Sequence, residues 1–167
     1  RLSAIAGIDD IALTTNGVLL TEQAAALKNA GLQRLNVSLD TLDDDVFFRL
    51  SRRRGIDQII AGIQLANKLG FDKIRLNAIA IKSITEQEIV PLATFARQHD
   101  LELRFIEFMP LDADDQWQRQ QVLTGDEIKN ILETAFCELL PVTRDDASQP
   151  AVDFQFSDNQ GRIGFIN

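Results

Sequence analysis

Short apolar runs alternate with stretches of helical periodicity four times over the first two thirds of the chain. Residues 11–17 read as a strand ending in an Asn-Gly turn, and residues 22–30 as a helix that Thr21 would cap and Gly31 would stop. Residues 34–40 form the second predicted strand, after which Asp43 caps a short helix through Leu50, with Asp44 and Asp45 at its positive end. Beyond a basic, Gly-containing break at 51–55, Ile59, Ile60, Ile63, Leu65, Ala66 and Leu69 recur at helical spacing until Gly70. Residues 73–81 give a third strand. A helix over 85–99 follows, with Ile89, Leu92, Ala93 and Ala96 on one face, and then a fourth strand over 101–109 that Pro110 ends. Strands that repeat with helical crossovers predict a parallel α/β sheet with right-handed connections, either a (β/α) barrel or a doubly wound sheet.

From residue 111 the pattern changes. An acidic, Gln-rich loop over 112–121 precedes a helix over 124–136, and residues 139–143, 152–156 and 162–166 read as strands. Asp158-Asn159-Gln160-Gly161 between the last two has hairpin chemistry. The chain thus divides into a barrel-like segment, 1–110, and a small antiparallel β/helix region, 111–167.

Alternation along a strand assigns its polar residues to faces. Thr14 and Asn16 share a face on the first strand, Asn36, Ser38 and Asp40 on the second, and Arg75 and Asn77 on the third. Parallel strands covered by helices are usually apolar on both faces. Here each carries polar groups on one face toward its carboxyl end, where α/β folds bind ligands. An unpaired buried hydroxyl or amide costs about 1–3 kcal/mol, so these rows need either one another or a ligand. A satisfied polar network and a binding site both remain open. On the fourth strand Arg104 has the parity of Ile106 and Phe108, while Glu107 and Met109 take the other, with the strand breaking at Pro110.

Composition narrows the chemistry. The 167 residues carry 17 basic and 25 acidic side chains, a net charge of −8, which is the wrong sign for a binder of nucleic acid polymers. The single cysteine, Cys137, excludes an internal disulfide and a self-contained iron–sulfur cluster. With no apolar run long enough to span a membrane and no Met at position 1, the chain reads as a cytoplasmic piece cut from a longer protein. His99 beside Asp100 reads as a solvated imidazole at a helix end, Cys137 as a small apolar group, and Arg52 to Arg54 as a solvated loop or an anion contact. The acidic pairs Asp9-Asp10 and Asp145-Asp146, with Asp112, Asp114 and Asp115, fit loops and caps better than a metal site.

Specific strings carry a family resemblance. Leu13-Thr14-Thr15-Asn16-Gly17, Arg34-Leu35-Asn36-Val37-Ser38-Leu39-Asp40, Lys73-Ile74-Arg75-Leu76-Asn77 and Leu103-Arg104-Phe105-Ile106-Glu107-Phe108-Met109 resemble, in order and spacing, the GTP 3′,8-cyclases of molybdenum cofactor biosynthesis, within the radical SAM superfamily. The resemblance implies a partial (β/α) TIM-like barrel segment of about four parallel strand–helix units, and a lyase. That lyase uses S-adenosylmethionine and [4Fe–4S] clusters to generate a 5′-deoxyadenosyl radical that acts on GTP. The cluster cysteines of that family have no counterpart here, which implies that both cluster regions lie outside the segment and that it would not turn over alone. By the same resemblance Thr14 and Arg75 contact GTP, with Arg75 where the family usually has Lys, so that a planar fork replaces a point charge. Ser38 and, through its backbone, Met109 contact S-adenosylmethionine, and Asn77 and Arg104 suit its carboxylate and ribose. The rival readings are another radical SAM enzyme with a different substrate and a non-catalytic ligand-binding module. Exposed strand edges would invite pairing with a second copy, a homodimer.

Overall fold

A computed structural model describes residues 2–109, 119–143 and 151–166. They fall into two compact units, Arg1–Leu76 and Asn77–Asn167, with the third strand carrying the chain from one to the other.

The first unit opens on a 3-10 turn, Leu2–Ala4, which the sequence pattern does not predict. It continues through β1 (Ala12–Thr15), α1 (Leu20–Asn29), β2 (Arg34–Ser38), α2 (Asp44–Ser51), α3 (Ile56–Lys68) and the first half of β3 (Lys73–Ile79). β1 and β2 pair in parallel with Thr14 level with Asn36, and β3 follows β2 in the strand order. Parallel neighbours need a helical crossover, which α1 supplies. Alternation then sorts the side chains. Leu35, Val37 and Leu39 are buried with Leu20 and Ala24 of α1 and Ile56, Ile59, Ile63 and Ala66 of α3, while Asn36 and Ser38 take the opposite face. Each fully buried aliphatic side chain contributes roughly 1.5–3 kcal/mol, so this face decides the register. α1 and α3 meet at Gly62, where a Cβ would come within 2.7 Å of Leu20 Cβ.

The start of α1 corrects the sequence expectation. Thr21 does not cap the helix; Leu19 takes that position without any side-chain bond, and the helix begins at Leu20. The reason lies in packing, since the Leu20 N–H donates to the Gly17 carbonyl at 3.1 Å and its side chain is buried. That anchor draws the first turn back by two residues from the better capping side chain. Asp43 does cap α2, accepting from the backbone N–H groups of Asp45 at 2.9 Å and Val46 at 2.8 Å.

The second unit holds the rest of β3, a 3-10 turn at Glu86–Glu88, α4 (Ile89–Gln98), β4 (Glu102–Ile106), a 3-10 turn at Arg119–Gln121, α5 (Gly125–Ala135), β5 (Leu139–Pro141), β6 (Val152–Phe156) and β7 (Arg162–Ile166). The helix predicted over 85–99 is therefore a 3-10 turn followed by a shorter α-helix. Buried Thr85 closes the preceding strand, its hydroxyl accepting from the Ile81 N–H and donating to the Ile79 carbonyl, both at 2.8 Å. Pro91 sits in the first turn of α4, where its missing N–H would have had no helical partner. Thr124 and Glu127 form a reciprocal capping box at the start of α5.

Strand order in this unit is β3-β4-β7-β6-β5. The predicted antiparallel hairpin is present, since β6 pairs antiparallel with both β5 and β7. β7 also joins β4 in parallel, so that the hairpin extends the sheet. Leu103 and Phe105 of β4, Leu92, Ala93 and Ala96 of α4, Ile128 and Leu132 of α5, and Phe156 and Ile163 of the hairpin are all buried. Both units thus carry parallel strands with helical connections. The acidic loop over 112–118 and the Asp145-Asp146 pair lie outside the described residues. No helix among the described residues is long and apolar enough to cross a membrane.

Candidate functional site

In the first unit the Thr-Thr-Asn-Gly string divides its labour. The Thr15 hydroxyl accepts from the Gly17 N–H at 3.1 Å and the Asn16 side chain accepts from the Val18 N–H at 3.2 Å, so both residues build the turn. Gly17 has φ +78°, and a Cβ there would approach Ile59 Cγ2 to 2.8 Å, so the turn requires glycine twice over. Thr14 is left on the polar face, exposed, with Asn36 Nδ2 3.4 Å from its hydroxyl oxygen.

Past the carboxyl ends of β1 and β2 lies a hollow of 390 Å³, whose polar lining includes Asn16, Ser38, Asp40 and Arg53, with Phe47 and Ile59 among its apolar lining. Of the residues the sequence singles out as ligand contacts, Ser38 lines this hollow; Thr14 and Arg75 do not. Arg75 is instead buried at 8% exposure and lies close enough to Asp10 to act on it. Asp10 is held below the usual carboxylate range, chiefly by its bond from Arg34 and more weakly by the charges of Arg34 and Arg75. The basic run splits by role. Arg54 pairs with Asp44 and Asp45 and stacks on the Phe48 ring at 4.9 Å, whereas Arg53 reaches the hollow. The Arg54 bond, with backbone N–H groups of Gly55 and Ile56, lowers the pKa of Asp44.

In the second unit Asn77 is half-buried on β3, Arg104 is half-buried on β4, and Met109, 43% exposed, lies beyond the end of that strand. Arg104 shares an ion pair with Asp153 of β6, its Nη2 3.7 Å from Oδ1. Local sequence reading misses Asp153, because nothing near it announces a partner 49 residues away. The one available signal is Gly164 inside a strand pattern, a mark of close approach. A second hollow, of 280 Å³, opens among Glu107, Lys129, Val152, Phe154, Phe165 and the start of α5, and none of the predicted ligand contacts lines it. His99 packs on Phe95 with ring centroids 4.6 Å apart, and Cys137 is half-buried with its thiol free of any disulfide. Among the described residues no three His, Cys, Asp or Glu side chains gather as a metal-ligand set.

The chain is similar to known proteins along its whole length. The family model described as Radical SAM superfamily matches residues 1–96, and that described as Molybdenum Cofactor Synthesis C matches residues 101–167. A GTP 3′,8-cyclase of Rhodopirellula baltica is 46% identical over 167 residues, which are 99% of this chain and 46% of that protein. One of Thermodesulfovibrio yellowstonii is 40% identical, over 100% of this chain and 51% of the relative. The chain therefore spans about half the length of the curated relatives it matches. In fold it is similar to Streptococcus suis SuiB, with TM-score 0.59 and 21% identity over 74% of this chain and 28% of that one. A radical SAM methyltransferase from Sphaerobacter thermophilus gives TM-score 0.57 and 21% identity over 74% of this chain and 36% of that one. Parallel strands with helical crossovers, polar rows at their carboxyl ends and a superfamily match over more than half the sequence converge: the chain belongs to the radical SAM superfamily.

Proposed function

We propose that the chain is the middle segment of a GTP 3′,8-cyclase, a cytoplasmic lyase of molybdenum cofactor biosynthesis, and that it carries part of the sites for S-adenosylmethionine and GTP. The observation that carries this reading is the row Thr14, Asn36, Ser38 and Asp40 at the carboxyl ends of β1 and β2, polar on one face and backed by buried Leu35, Val37 and Leu39 on the other. The names of the relatives just described support the same substrate. The first 110 residues supply barrel strands and the remainder opens the C-terminal region, a division consistent with the two family matches at 1–96 and 101–167.

Residue roles follow from the family resemblance, and the chemistry of each group supports them. The Thr14 hydroxyl and the Arg75 guanidinium bind GTP; a cation at 8% exposure is largely stripped of water, which strengthens its hold on a phosphate oxygen. Ser38 and the Met109 backbone contact S-adenosylmethionine, and Asn77 and Arg104 suit its carboxylate and ribose. S-adenosylmethionine, when bound, supplies hydrogen-abstracting radical chemistry. The chain's own residues bind and orient these ligands, and Leu35, Val37, Leu76 and Ala78, buried on the opposite face, anchor the strands that carry them. The residues present do not fit an iron–sulfur cluster, because one cysteine cannot supply its thiolates. The [4Fe–4S] ligands of the enzyme therefore belong to parts of it other than residues 1–167.

Nucleotide affinity of the full-length enzyme tests the reading. Thr14→Ala and Arg75→Ala are expected to weaken GTP binding about tenfold or more while sparing S-adenosylmethionine, and Ser38→Ala the reverse. Equal affinity of the unaltered enzyme for GTP and ATP, or no response to these substitutions, would sink the assignment and favour a radical SAM enzyme with another substrate.

A further inference from the structure

Strand register brings three residues of the second unit into one row. β4 pairs with β7 so that Arg104 is level with Gly164, and β7 pairs with β6 so that Gly164 is level with Asp153. Level residues project from the same sheet face, here the face opposite buried Leu103 and Phe105. The middle position has no side chain, and the Arg104 side chain occupies that gap. A Cβ on Gly164 would stand 2.9 Å from Arg104 Cγ, 3.4 Å from its Nε and 2.7 Å from Asp153 Oδ1. The guanidinium is thereby laid along the sheet toward Asp153, with the two side chains 12% and 30% exposed.

Glycine is a poor choice inside a strand unless something must pass over it, since it adds entropy cost and no packing. Here what passes is a long cationic side chain that would otherwise have many rotamers. An Arg carries five N–H donors in a rigid fork, and the Asp153 carboxylate, 3.7 Å from Nη2, draws that fork toward β6. We propose that Asp153 is the positioning residue for Arg104, with Gly164 the gap that admits the contact, so that the C-terminal hairpin sets how the barrel strand presents its guanidinium to a carboxylate-bearing cofactor. This rests on the assignment of Arg104 to S-adenosylmethionine made above.

The test is S-adenosylmethionine affinity, by equilibrium dialysis, of the full-length enzyme reconstituted anaerobically, for Arg104→Lys, Asp153→Asn, Asp153→Glu and the double variant Arg104→Lys/Asp153→Asn, with melting temperatures alongside. Arg104→Lys is expected to weaken binding about tenfold and Asp153→Asn about fivefold, with GTP affinity unchanged. The double variant should bind no more weakly than Arg104→Lys alone, because the pair acts as one device, and Asp153→Glu should recover most of the loss. Weakening by Arg104→Lys with none by Asp153→Asn overturns the positioning role and leaves the site reading intact. No weakening by either overturns the site reading itself. Should Asp153→Asn lower both melting temperature and affinity, and Asp153→Glu restore only the former, the pair is structural and the proposal fails.

Discussion

Arg97 shows how one side chain can join elements far apart in sequence. Its guanidinium lies against the rings of both Phe136 and Phe156, 4.7 and 4.4 Å from their centroids, and pairs with Asp158 in the hairpin turn. Its side chain is 13% exposed, so truncation removes cation–π contact, stem packing and an ion pair together. Arg97→Ala should cost about 2–4 kcal/mol by urea denaturation, and Arg97→Lys should recover only part, since an ammonium cannot stack. A cost near zero would mean that the aromatic rings close over the gap unaided. At this scale parity was the readable signal. It assigns Thr14, Ser38, Arg75 and Asn77 to polar rows, because alternation is a local property of a strand, whereas Arg104 shares the parity of Ile106 and Phe108 and is not singled out by it. Arg97 and Asp153 were not readable, because their partners arrive from strands paired at long range.

Among the elements, capping chemistry separates what local sequence decides from what packing overrides. Thr124 satisfies the Glu127 N–H while the Glu127 carboxylate satisfies the Thr124 N–H, and those bonds hold Glu127 below the usual carboxylate range. Thr124→Ala should therefore cost about 1 kcal/mol. Thr21→Ala should cost less than about 0.5 kcal/mol, because Thr21 lies inside α1 and caps nothing. Paired urea titrations distinguish the two, and equal losses would show that Thr21 contributes by some route other than capping. Among the described residues the positions of all five α-helices and of the strands were legible from periodicity and punctuation. Their ends were less so, as α1 shows, since a buried Leu anchors a helix more firmly than an available hydroxyl.

Across the whole molecule, acidic groups set the response to pH. Asp10, Asp44, Glu127, Glu133 and Asp158 all titrate below their ordinary values, mainly through bonds from Arg34, Arg54, the Thr124 N–H, Lys129 and Arg97 respectively. A carboxylate whose folded pKa is depressed contributes its full stability above its unfolded value and loses it as pH falls through the folded one. Urea midpoints should thus change little between pH 7 and 5 and fall steeply below about pH 4. A flat profile down to pH 3 would contradict these pairings. Net charge does not oppose this expectation, because relief of repulsion from a charge of −8 is diffuse and screened, whereas these bonds are specific. The α/β class and the hairpin were legible in the sequence. That the last strand lies between the fourth and the sixth was not, because pairing order across a sheet leaves no periodic trace in the chain.

That insertion has a consequence in time. β7 leaves the ribosome after β5 and β6, yet it lies between β4 and β6. The edge of β4 that will receive it is synthesised 60 residues earlier, counting from Ile106 to its partner Ile166. At roughly 5–20 residues per second that edge waits on the order of 3–12 s for its neighbour. During that interval β5 and β6 already exist but can only dock through a strand not yet made. The nascent chain therefore carries an open, half-apolar strand edge for seconds, the condition under which holding chaperones act and mispairing begins.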